Sequence, residues 1–187
     1  YHLATRGHQV EVRDAFGEPG GMMRYGIPAY RLPRDVLDGE VARIAALGVR
    51  FTLNHLVEDV AAERRDGGFN AVFVAVGAHL SKRVDIPARD AGRIVDAVSF
   101  LHTVATGGRP VIGRRVAVYG GGNTAMDAAR VARRLGADET VIVYRRTRAQ
   151  MPAHPEEAAD AETEGVRINW LRTITAFDGP ELTVEAM

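Results

Sequence analysis

The chain has 187 residues, of which 46% are hydrophobic and 26% are charged, the balance of an ordinary globular protein with one or two domains. Lysine plus arginine equals aspartate plus glutamate at 24 each, so no bulk charge is present that would recruit nucleic acid or an anionic membrane. The absence of cysteine excludes disulfides, redox dithiols and thiolate-held iron–sulfur clusters within these residues, and a cytoplasmic protein is the default expectation.

Hydrophobic spacing in the first half of the chain predicts a block of alternating helices and strands. The predicted elements are a helix over 1–6, a strand over 9–13, a loop over 18–33, a helix over 35–47, a strand over 49–53, a short polar helix or turn region over 57–65 and a strand over 70–76. The run Ala71–Val76 is apolar on both faces, which is typical of a central strand in a parallel sheet. We expect the helix over 1–6 and the strand over 9–13 to be the second half of a βαβ unit, whose first strand and glycine turn lie outside the numbered residues.

A second block follows a connector at about 78–91. Its predicted elements are a helix over 96–106, a strand over 115–119, a helix after the glycines at 120–122, a strand over 140–144, a helix over 155–164 and strands over 166–170 and 182–184. Strands that alternate with helices in this way predict the α/β class, with parallel sheets in two blocks that are both incomplete.

A glycine cluster between a strand and a helix carries the strongest functional signal. Gly120 permits a sharp exit from the strand, and Gly122 lets a backbone come close to a pyrophosphate. Asn123 and Thr124 open the helix, whose N-terminus offers N–H groups to phosphates, and Ala125 lets the helix pack close to the strand. The order of strand, turn, helix and strand predicts a dinucleotide site, the alternative being an incidental glycine turn.

The residues after the next strand indicate which dinucleotide binds. An NAD site usually has Asp or Glu there, which accepts a hydrogen bond from the ribose 2′-hydroxyl. This chain has Arg145 and Arg146, whose guanidinium groups bind a 2′-phosphate that a carboxylate would repel. The sequence therefore predicts NADP(H), and the alternative is a solvated basic turn.

Three arginines on the helix after the glycines share one face. Arg130, Arg133 and Arg134 have i, i+3 and i+4 spacing. This pattern predicts a solvated face, and the alternative is a docking patch for an acidic electron-transfer partner.

Four stretches of the chain match a known family in order and spacing. They are Gly20–Pro28 (GGMMRYGIP), Ala71–Ala78 (AVFVAVGA), Gly120–Asp127 (GGGNTAMD) and Tyr144–Pro152 (YRRTRAQMP). The chain resembles the flavin-containing NADPH oxidoreductases typified by the small (β) subunit of glutamate synthase, whose module also occurs in dihydropyrimidine dehydrogenase. The resemblance implies a flavin domain with an NADPH domain inserted in it.

The resemblance assigns contacts with FAD to four residues. Asp14, after the strand 9–13, looks like the acid that binds the adenosine ribose of FAD, the alternative being an ordinary turn aspartate. Gly20 and Gly21 look like backbone that passes close to the flavin, and Gly77 lies in a segment that resembles the crossing beneath FAD. The family's first G-x-G-x-x-G is absent from the numbered residues, so FAD is expected in the full-length parent.

The resemblance also implies a division of labour along the chain. Residues 1–90 would be part of an FAD-binding domain and 91–187 part of an NADPH-binding domain, each a Rossmann-like parallel-sheet unit. Hydride would pass between NADPH and FAD, and electrons would pass on to an iron–sulfur cluster in another domain or subunit. Because the protein mainly holds two rings together, no catalytic side chain is assigned, and histidine spacing indicates no metal site.

Two other functions stay open at this point. One is a flavoenzyme that reduces a small organic substrate directly, such as a pyrimidine. The other is a non-catalytic dinucleotide-binding module. A yellow preparation with flavin absorbance would favour an enzyme, and a colourless protein that binds only NADPH would favour the module.

Overall fold

The computed structural model describes residues 1–78, 86–89 and 94–187. The chain divides into two compact units, the first made of 1–25 with 29–78 and the second of 26–28 with 79–187. Both units contain helices and parallel strands, so the predicted α/β class is confirmed. The predicted domain boundary between 90 and 91 lies outside the described residues, and the assignment of 1–90 to FAD and 91–187 to NADPH stays a prediction.

The first unit has a two-stranded parallel sheet. Its elements are α1 (His2–Thr5), β1 (Glu11–Arg13), α2 (Met22–Tyr25), α3 (Arg34–Ala45), β2 (Arg50–Thr52) and α4 (Val60–Asp66). In the sheet, Val12 lies opposite Phe51. The carboxylate of Asp59 accepts hydrogen bonds from two backbone amides and so begins α4, as an N-cap residue should. The predicted loop over 18–33 is wrong in one respect, because it contains the short helix α2.

The predicted strand over 70–76 does not form. Residues 69–78 contain no helix or strand, and the side chains of Phe73 and Val76 are 85% and 76% exposed. A parallel strand needs a neighbour that completes its ladder of hydrogen bonds, and no described residue pairs with this segment. The apolar pattern therefore indicates that the segment suits burial, but it does not supply the partner against which it would be buried.

The second unit contains the remaining elements. They are β3 (Ala88–Arg89), α5 (Ala97–Ala105), β4 (Arg115–Tyr119), α6 (Asn123–Arg134), β5 (Glu139–Tyr144), a 3-10 helix (Arg148–Gln150), α7 (Pro155–Thr163), β6 (Val166–Trp170), β7 (Arg172–Asp178) and β8 (Glu181–Ala186). The strands β4, β5 and β6 form a parallel sheet in that order. Tyr119 lies opposite Val143, and Tyr144 lies opposite Trp170, so the carboxyl ends of all three strands meet at one edge.

The sequence predicted only part of a second sheet in this unit. Strand β7 pairs in parallel with β3 and antiparallel with β8, so this sheet is mixed. The prediction of a strand over 182–184 is confirmed within β8, whereas β7 was missed. A register shift between Ile174 and Ala176 interrupts the alternation of side chains by which a strand is recognised in a sequence.

Small residues on α6 let it pack close to the parallel sheet. Ala125, Met126 and Ala129 are buried against Ile142 and Val166, in a cluster that also includes alanines of α7. Alanine has no side chain beyond Cβ, so the helix backbone approaches the strands and van der Waals contact replaces water. This packing fixes the N-terminus of α6 at the carboxyl edge of β4 and β5.

The predicted solvated arginine face is wrong. Arg130 is buried, and its guanidinium forms ion pairs with Glu157 at 3.0 Å and Glu164 at 2.7 Å. Arg134 also pairs with Glu164, at 2.7 Å, and Arg133 donates to backbone carbonyls of the turn that follows α6. The sequence showed that these arginines share a face, but it did not show that the acidic side of α7 covers it.

Loss of the buried cation should destabilise the second unit. We expect Arg130→Met to lower the free energy of unfolding by about 3 kcal/mol, because the partly buried carboxylates of Glu157 and Glu164 each lose an ion pair with a buried cation. Urea denaturation followed by the fluorescence of Trp170, the chain's single tryptophan, measures this effect in the same unit. The control Arg114→Met removes an exposed pair with Asp138 and should cost about 0.5 kcal/mol. Equal losses in the two variants would contradict the prediction.

The same cluster should make stability fall in acid. Hydrogen bonds from Arg134, and more weakly from Arg130, lower the pKa of Glu164 from 4.5 to about 2 against the opposing effect of burial. A lowered pKa in the folded state gives stability that is present above about pH 4.5 and is lost as the pH falls towards 2. The urea midpoint should therefore drop between about pH 5 and about pH 3, because this interval begins near the ordinary pKa of 4.5 and lies above the folded-state pKa of about 2. Glu164→Gln should make that drop smaller. An unchanged pH dependence in Glu164→Gln would refute this account.

Candidate functional site

The glycine turn follows β4 and has the conformation that the sequence predicts. Gly120 has a φ of +152°, which side-chain-bearing residues rarely adopt, and its N–H donates to the carbonyl of Val143 at 3.1 Å. A Cβ on Gly120 would lie 3.5 Å from Cβ of Ala125. The small side chain of Ala125 thus allows α6 to begin close to the strand, as predicted for the third small residue.

Gly122 forms the N-cap of α6 and leaves open space around it. Apart from Gly122 and its two chain neighbours, no heavy atom of the described residues lies within 4 Å of the position that its Cβ would occupy. No side chain caps the helix, and among the described residues none accepts a hydrogen bond from the backbone N–H of Asn123 or Thr124. An N-terminus in this state carries partial positive charge and unused donors, which is the arrangement that binds phosphate groups.

The side chain of Asn123 has an internal partner. Its Oδ1 accepts a hydrogen bond from the backbone N–H of His154 at 3.0 Å, so the amide holds the segment before α7 against the turn. Thr124 is exposed on the first turn of α6. A cofactor would therefore meet the backbone of Asn123, and the role of both residues in binding stays a prediction.

The two predicted phosphate-binding arginines lie at the same edge of the sheet as the glycine turn. Arg145 and Arg146 follow β5 directly, both are exposed, and neither guanidinium has an acidic partner in the part of the chain that the structure describes. The next arginine differs, because Arg148 pairs with Glu162 at 3.0 Å and lies 5.9 Å from the ring centroid of Trp170. Two cations are therefore available for an anion beside β5, and the third already has a carboxylate partner.

In the first unit, Asp14 follows β1 at the predicted position. One carboxylate oxygen accepts a hydrogen bond from the N–H of Phe16 at 3.0 Å, which forms an Asx turn. The backbone of Asp14 is fixed by a bond from its N–H to Thr52 and one from the N–H of His55 to its carbonyl. The structure thus gives Asp14 a turn-forming role, and its contact with an adenosine ribose stays a prediction.

A polar network surrounds Glu11, the first residue of β1. Glu11 is contacted by Arg13 at 2.8 Å, by the hydroxyl of Thr52 at 2.8 Å and by Arg50. Hydrogen bonds from Arg13, Thr52 and then Arg50 hold the pKa of Glu11 at about 2, although burial opposes the shift. Glu11 is therefore ionised at neutral pH and connects the two strands of this sheet.

The predicted flavin-side glycines lie in a turn fixed by a buried arginine. Gly20 has a φ of +129°, and a Cβ there would lie 3.0 Å from a methyl group of Leu37, whereas Gly21 has a φ of +52° and open space. Arg24 is buried, donates to the carbonyl of Pro19 at 2.7 Å and pairs with carboxylates on both sides of the turn. Sequence reasoning missed this anchoring role, because a charged residue in a loop is normally exposed.

Gly77 is the last of the predicted site residues. It has a φ of +70° and lies in the exposed, irregular segment 70–78. Its predicted position at the end of a buried strand is wrong, since that strand is absent, and its contact with FAD stays a prediction.

Two kinds of feature are missing from the described ranges 1–78, 86–89 and 94–187. No group of three or more His, Asp or Glu side chains there could hold a metal ion. None of their helices has the length and apolar composition needed to cross a membrane.

The family model described as pyridine nucleotide-disulphide oxidoreductase matches residues 31–187. The chain belongs to this family. The family is one of oxidoreductases that bind FAD and NADPH, so the predicted cofactor pair is confirmed at the level of the family.

Named relatives agree with the predicted resemblance. The chain is 44% identical over 191 residues to the NADP(+)-dependent formate dehydrogenase subunit beta of Moorella thermoacetica, an alignment that covers 100% of this chain and 27% of the relative. It is 38% identical to the NADPH-Fe(3+) oxidoreductase subunit beta of Geobacter sulfurreducens, over 91% of this chain and 26% of the relative. It is 34% identical to the glutamate synthase (NADPH) small chain of Azospirillum brasilense, over 95% and 39%. The chain thus spans about a quarter of the first two relatives.

Solved structures share the fold at low sequence identity. A 2-naphthoyl-CoA reductase complex matches with a TM-score of 0.76 at 16% identity, over 98% of this chain and 27% of that chain. FprA of Mycobacterium tuberculosis in complex with NADPH matches with a TM-score of 0.70 at 18% identity, over 96% and 60%. These likenesses confirm the Rossmann-like fold of this oxidoreductase family.

Proposed function

We propose that the chain carries the NADPH-binding region, and part of the FAD-binding region, of an NADPH-linked flavin oxidoreductase that passes electrons to an iron–sulfur partner. One observation carries this proposal. Two features follow neighbouring strands at one edge of the second unit: the uncapped N-terminus of α6, open at Gly122, and the guanidinium groups of Arg145 and Arg146, which have no acidic partner among the described residues.

The N-terminus of α6 suits the pyrophosphate of a dinucleotide. The open space at Gly122 lets phosphate oxygens approach the backbone, and the amides of Asn123 and Thr124 are donors without acceptors among the described residues. The dipole of this 12-residue helix favours negative charge at the same place. No charged side chain is required for this contact, because the backbone amides and the helix dipole supply the positive potential.

Arg145 and Arg146 suit the 2′-phosphate that distinguishes NADPH from NADH. They occupy the position after the second strand of a βαβ unit, where the adenosine ribose arrives. The names of three relatives support this choice, because each contains NADP or NADPH. A carboxylate at this position would bind the 2′-hydroxyl of NADH instead, and none is present at 145 or 146.

When bound, the two cofactors would supply the chemistry of hydride transfer between nicotinamide and flavin. In the first unit, Asp14 has one carboxylate oxygen engaged with the amide of Phe16, which fixes the group's orientation at the end of β1. Gly20 and Gly21 supply backbone without side chains on the flavin side. The iron–sulfur cluster is proposed from the resemblance alone, and the names of the Moorella and Geobacter relatives, each a subunit beta, support a partner subunit.

The two other classes predict different observations. A flavoenzyme that reduces an organic substrate requires a substrate-binding region that the proposal does not need. A non-catalytic module would bind NADPH without flavin. Flavin absorbance of the purified full-length parent separates an enzyme from the module.

A substitution at the glycine turn should remove dinucleotide binding without unfolding the protein. In Gly122→Val the branched side chain enters open space, so it fits the ligand-free fold but occupies the volume of the pyrophosphate. We expect no measurable binding of NADPH or NADH by titration calorimetry. The control Gly39→Val also places valine in open space, on α3 of the first unit, and should bind normally. Unchanged affinity in a folded Gly122→Val variant would remove the turn from the site.

The arginine pair should determine the preference for NADPH. Loss of two charge-assisted hydrogen bonds, each worth about 1.5–3 kcal/mol, should weaken NADPH binding by on the order of a hundredfold or more in Arg145→Ala/Arg146→Ala. NADH binding should change by less than about threefold, because NADH has no 2′-phosphate.

Dissociation constants for both cofactors at one ionic strength test this expectation. The control Arg109→Ala/Arg114→Ala makes the same change in net charge near the amino end of β4 and should leave the preference intact. Equal weakening of NADPH and NADH in the 145/146 variant would mean that the arginines act on the fold or the pyrophosphate, and the NADP assignment would be withdrawn.

A further inference from the structure

The middle glycine of the turn faces an aromatic ring. A Cβ on Gly121 would lie 2.4 Å from ring carbons Cδ2 and Cε2 of Tyr144, so any side chain at 121 requires the ring or the turn to move. Tyr144 is the last residue of β5 and is 7% exposed, and its ring also packs edge-on against Trp170 with centroids 6.2 Å apart. The ring therefore has little room to give way.

A single segment holds both the ring and the turn. We call residues 147–154 the bracing segment. The hydroxyl of Tyr144 donates to the carbonyl of Gln150 at 2.8 Å, and the N–H of Ala153 donates to the carbonyl of Gly121 at 3.0 Å. The next amide, that of His154, donates to Asn123 as described above. Gly121 thus has Tyr144 against its α-carbon and the bracing segment on its carbonyl.

We propose that Tyr144 is a positioning residue that sets the glycine turn for pyrophosphate binding and connects it to the arginines that select NADPH. Its ring supports Gly121, one residue before the open position at Gly122, and its backbone continues directly into Arg145. The inference rests on the proposed dinucleotide site, and it assigns a binding role to a buried side chain that touches no phosphate itself.

A purely structural tyrosine would behave differently from a positioning one. Removal of a buried aromatic ring from a core lowers stability wherever it occurs, without any specific link to position 121. A positioning ring instead gives a non-additive effect on dinucleotide affinity, because the two residues are in direct contact. It also affects NADPH and NADH alike, since both contain the pyrophosphate that the turn would bind.

A double-mutant cycle on the 187-residue chain tests the proposal. The dissociation constants of NADPH and NADH are measured by titration calorimetry for the unchanged chain, Gly121→Ala, Tyr144→Ala and the double variant, with circular dichroism to verify folding. We expect Gly121→Ala to weaken both cofactors at least tenfold in the unchanged background, because its methyl group displaces the turn. In the Tyr144→Ala background the same change should cost less than about twofold, because the ring is gone.

The conservative variant Tyr144→Phe keeps the ring and loses only the hydrogen bond to Gln150, so both affinities should stay within about threefold of the unchanged chain. Equal effects of Gly121→Ala in the two backgrounds would overturn the proposal. If Tyr144→Ala does not fold, the proposal would be overturned by a Gly121→Ala variant that binds both cofactors as tightly as the unchanged chain does. Failure of the unchanged chain to bind either cofactor would instead refute the proposed dinucleotide site, which distinguishes the two failures.

Discussion

The contact between the ring of Tyr144 and the α-carbon of Gly121 fixes the glycine turn relative to the end of β5. Hydrogen bonds hold parallel strands about 4.8 Å apart, but they do not determine the path of the chain after each strand ends. Here the aromatic ring of Tyr144 and the hydrogen bond from the amide of Ala153 to Gly121 fix the path of the chain beyond the ends of the strands. Because Arg145 follows Tyr144 directly, the same contact also determines where the arginine pair begins. The pyrophosphate and the 2′-phosphate of NADPH would therefore bind to the glycine turn and the arginine pair, whose spacing is already set before binding. This reduces the entropy lost on association.

Arginine side chains in the second unit either stabilise the fold or stay available for a ligand, and the presence of an acidic partner determines which role each has. Arg130 is buried and forms ion pairs with the carboxylates of Glu157 and Glu164, so its charge is neutralised within the fold. Arg148 is exposed but is held by Glu162 and by the face of Trp170. The guanidinium groups at 145 and 146 have no such partner among the described residues. An anion that reaches them displaces water and not a competing carboxylate, so its binding free energy is not reduced by the breaking of an internal ion pair.

The features that the sequence predicted correctly are local ones. The turn at Gly120–Gly122 was predicted because strand, glycine and helix signals follow one another within a few residues. The contact of Tyr144 with Gly121 was not, because it joins segments that are distant in sequence and depends on the direction of one side chain. The failed strand over 70–76 has the same origin, since a continuous apolar run describes a segment and not its neighbour in a sheet. The buried Arg24 was missed because the preference of charged residues for water is a tendency that three acceptors can override.

The absence of an assigned acid, base or nucleophile is consistent with the chemistry proposed. Hydride transfer between two bound rings is governed by their distance and orientation, so the protein contributes mainly through positioning. Specificity is then a difference between two binding free energies, and it must come from the part of the cofactor where NADPH and NADH differ. That part lies at the adenosine ribose, away from the reacting nicotinamide. In the proposed site, cations at 145 and 146 would therefore select NADPH without altering the geometry at the flavin. The glycine turn would bind the pyrophosphate that both cofactors share, and it would provide affinity without affecting the choice.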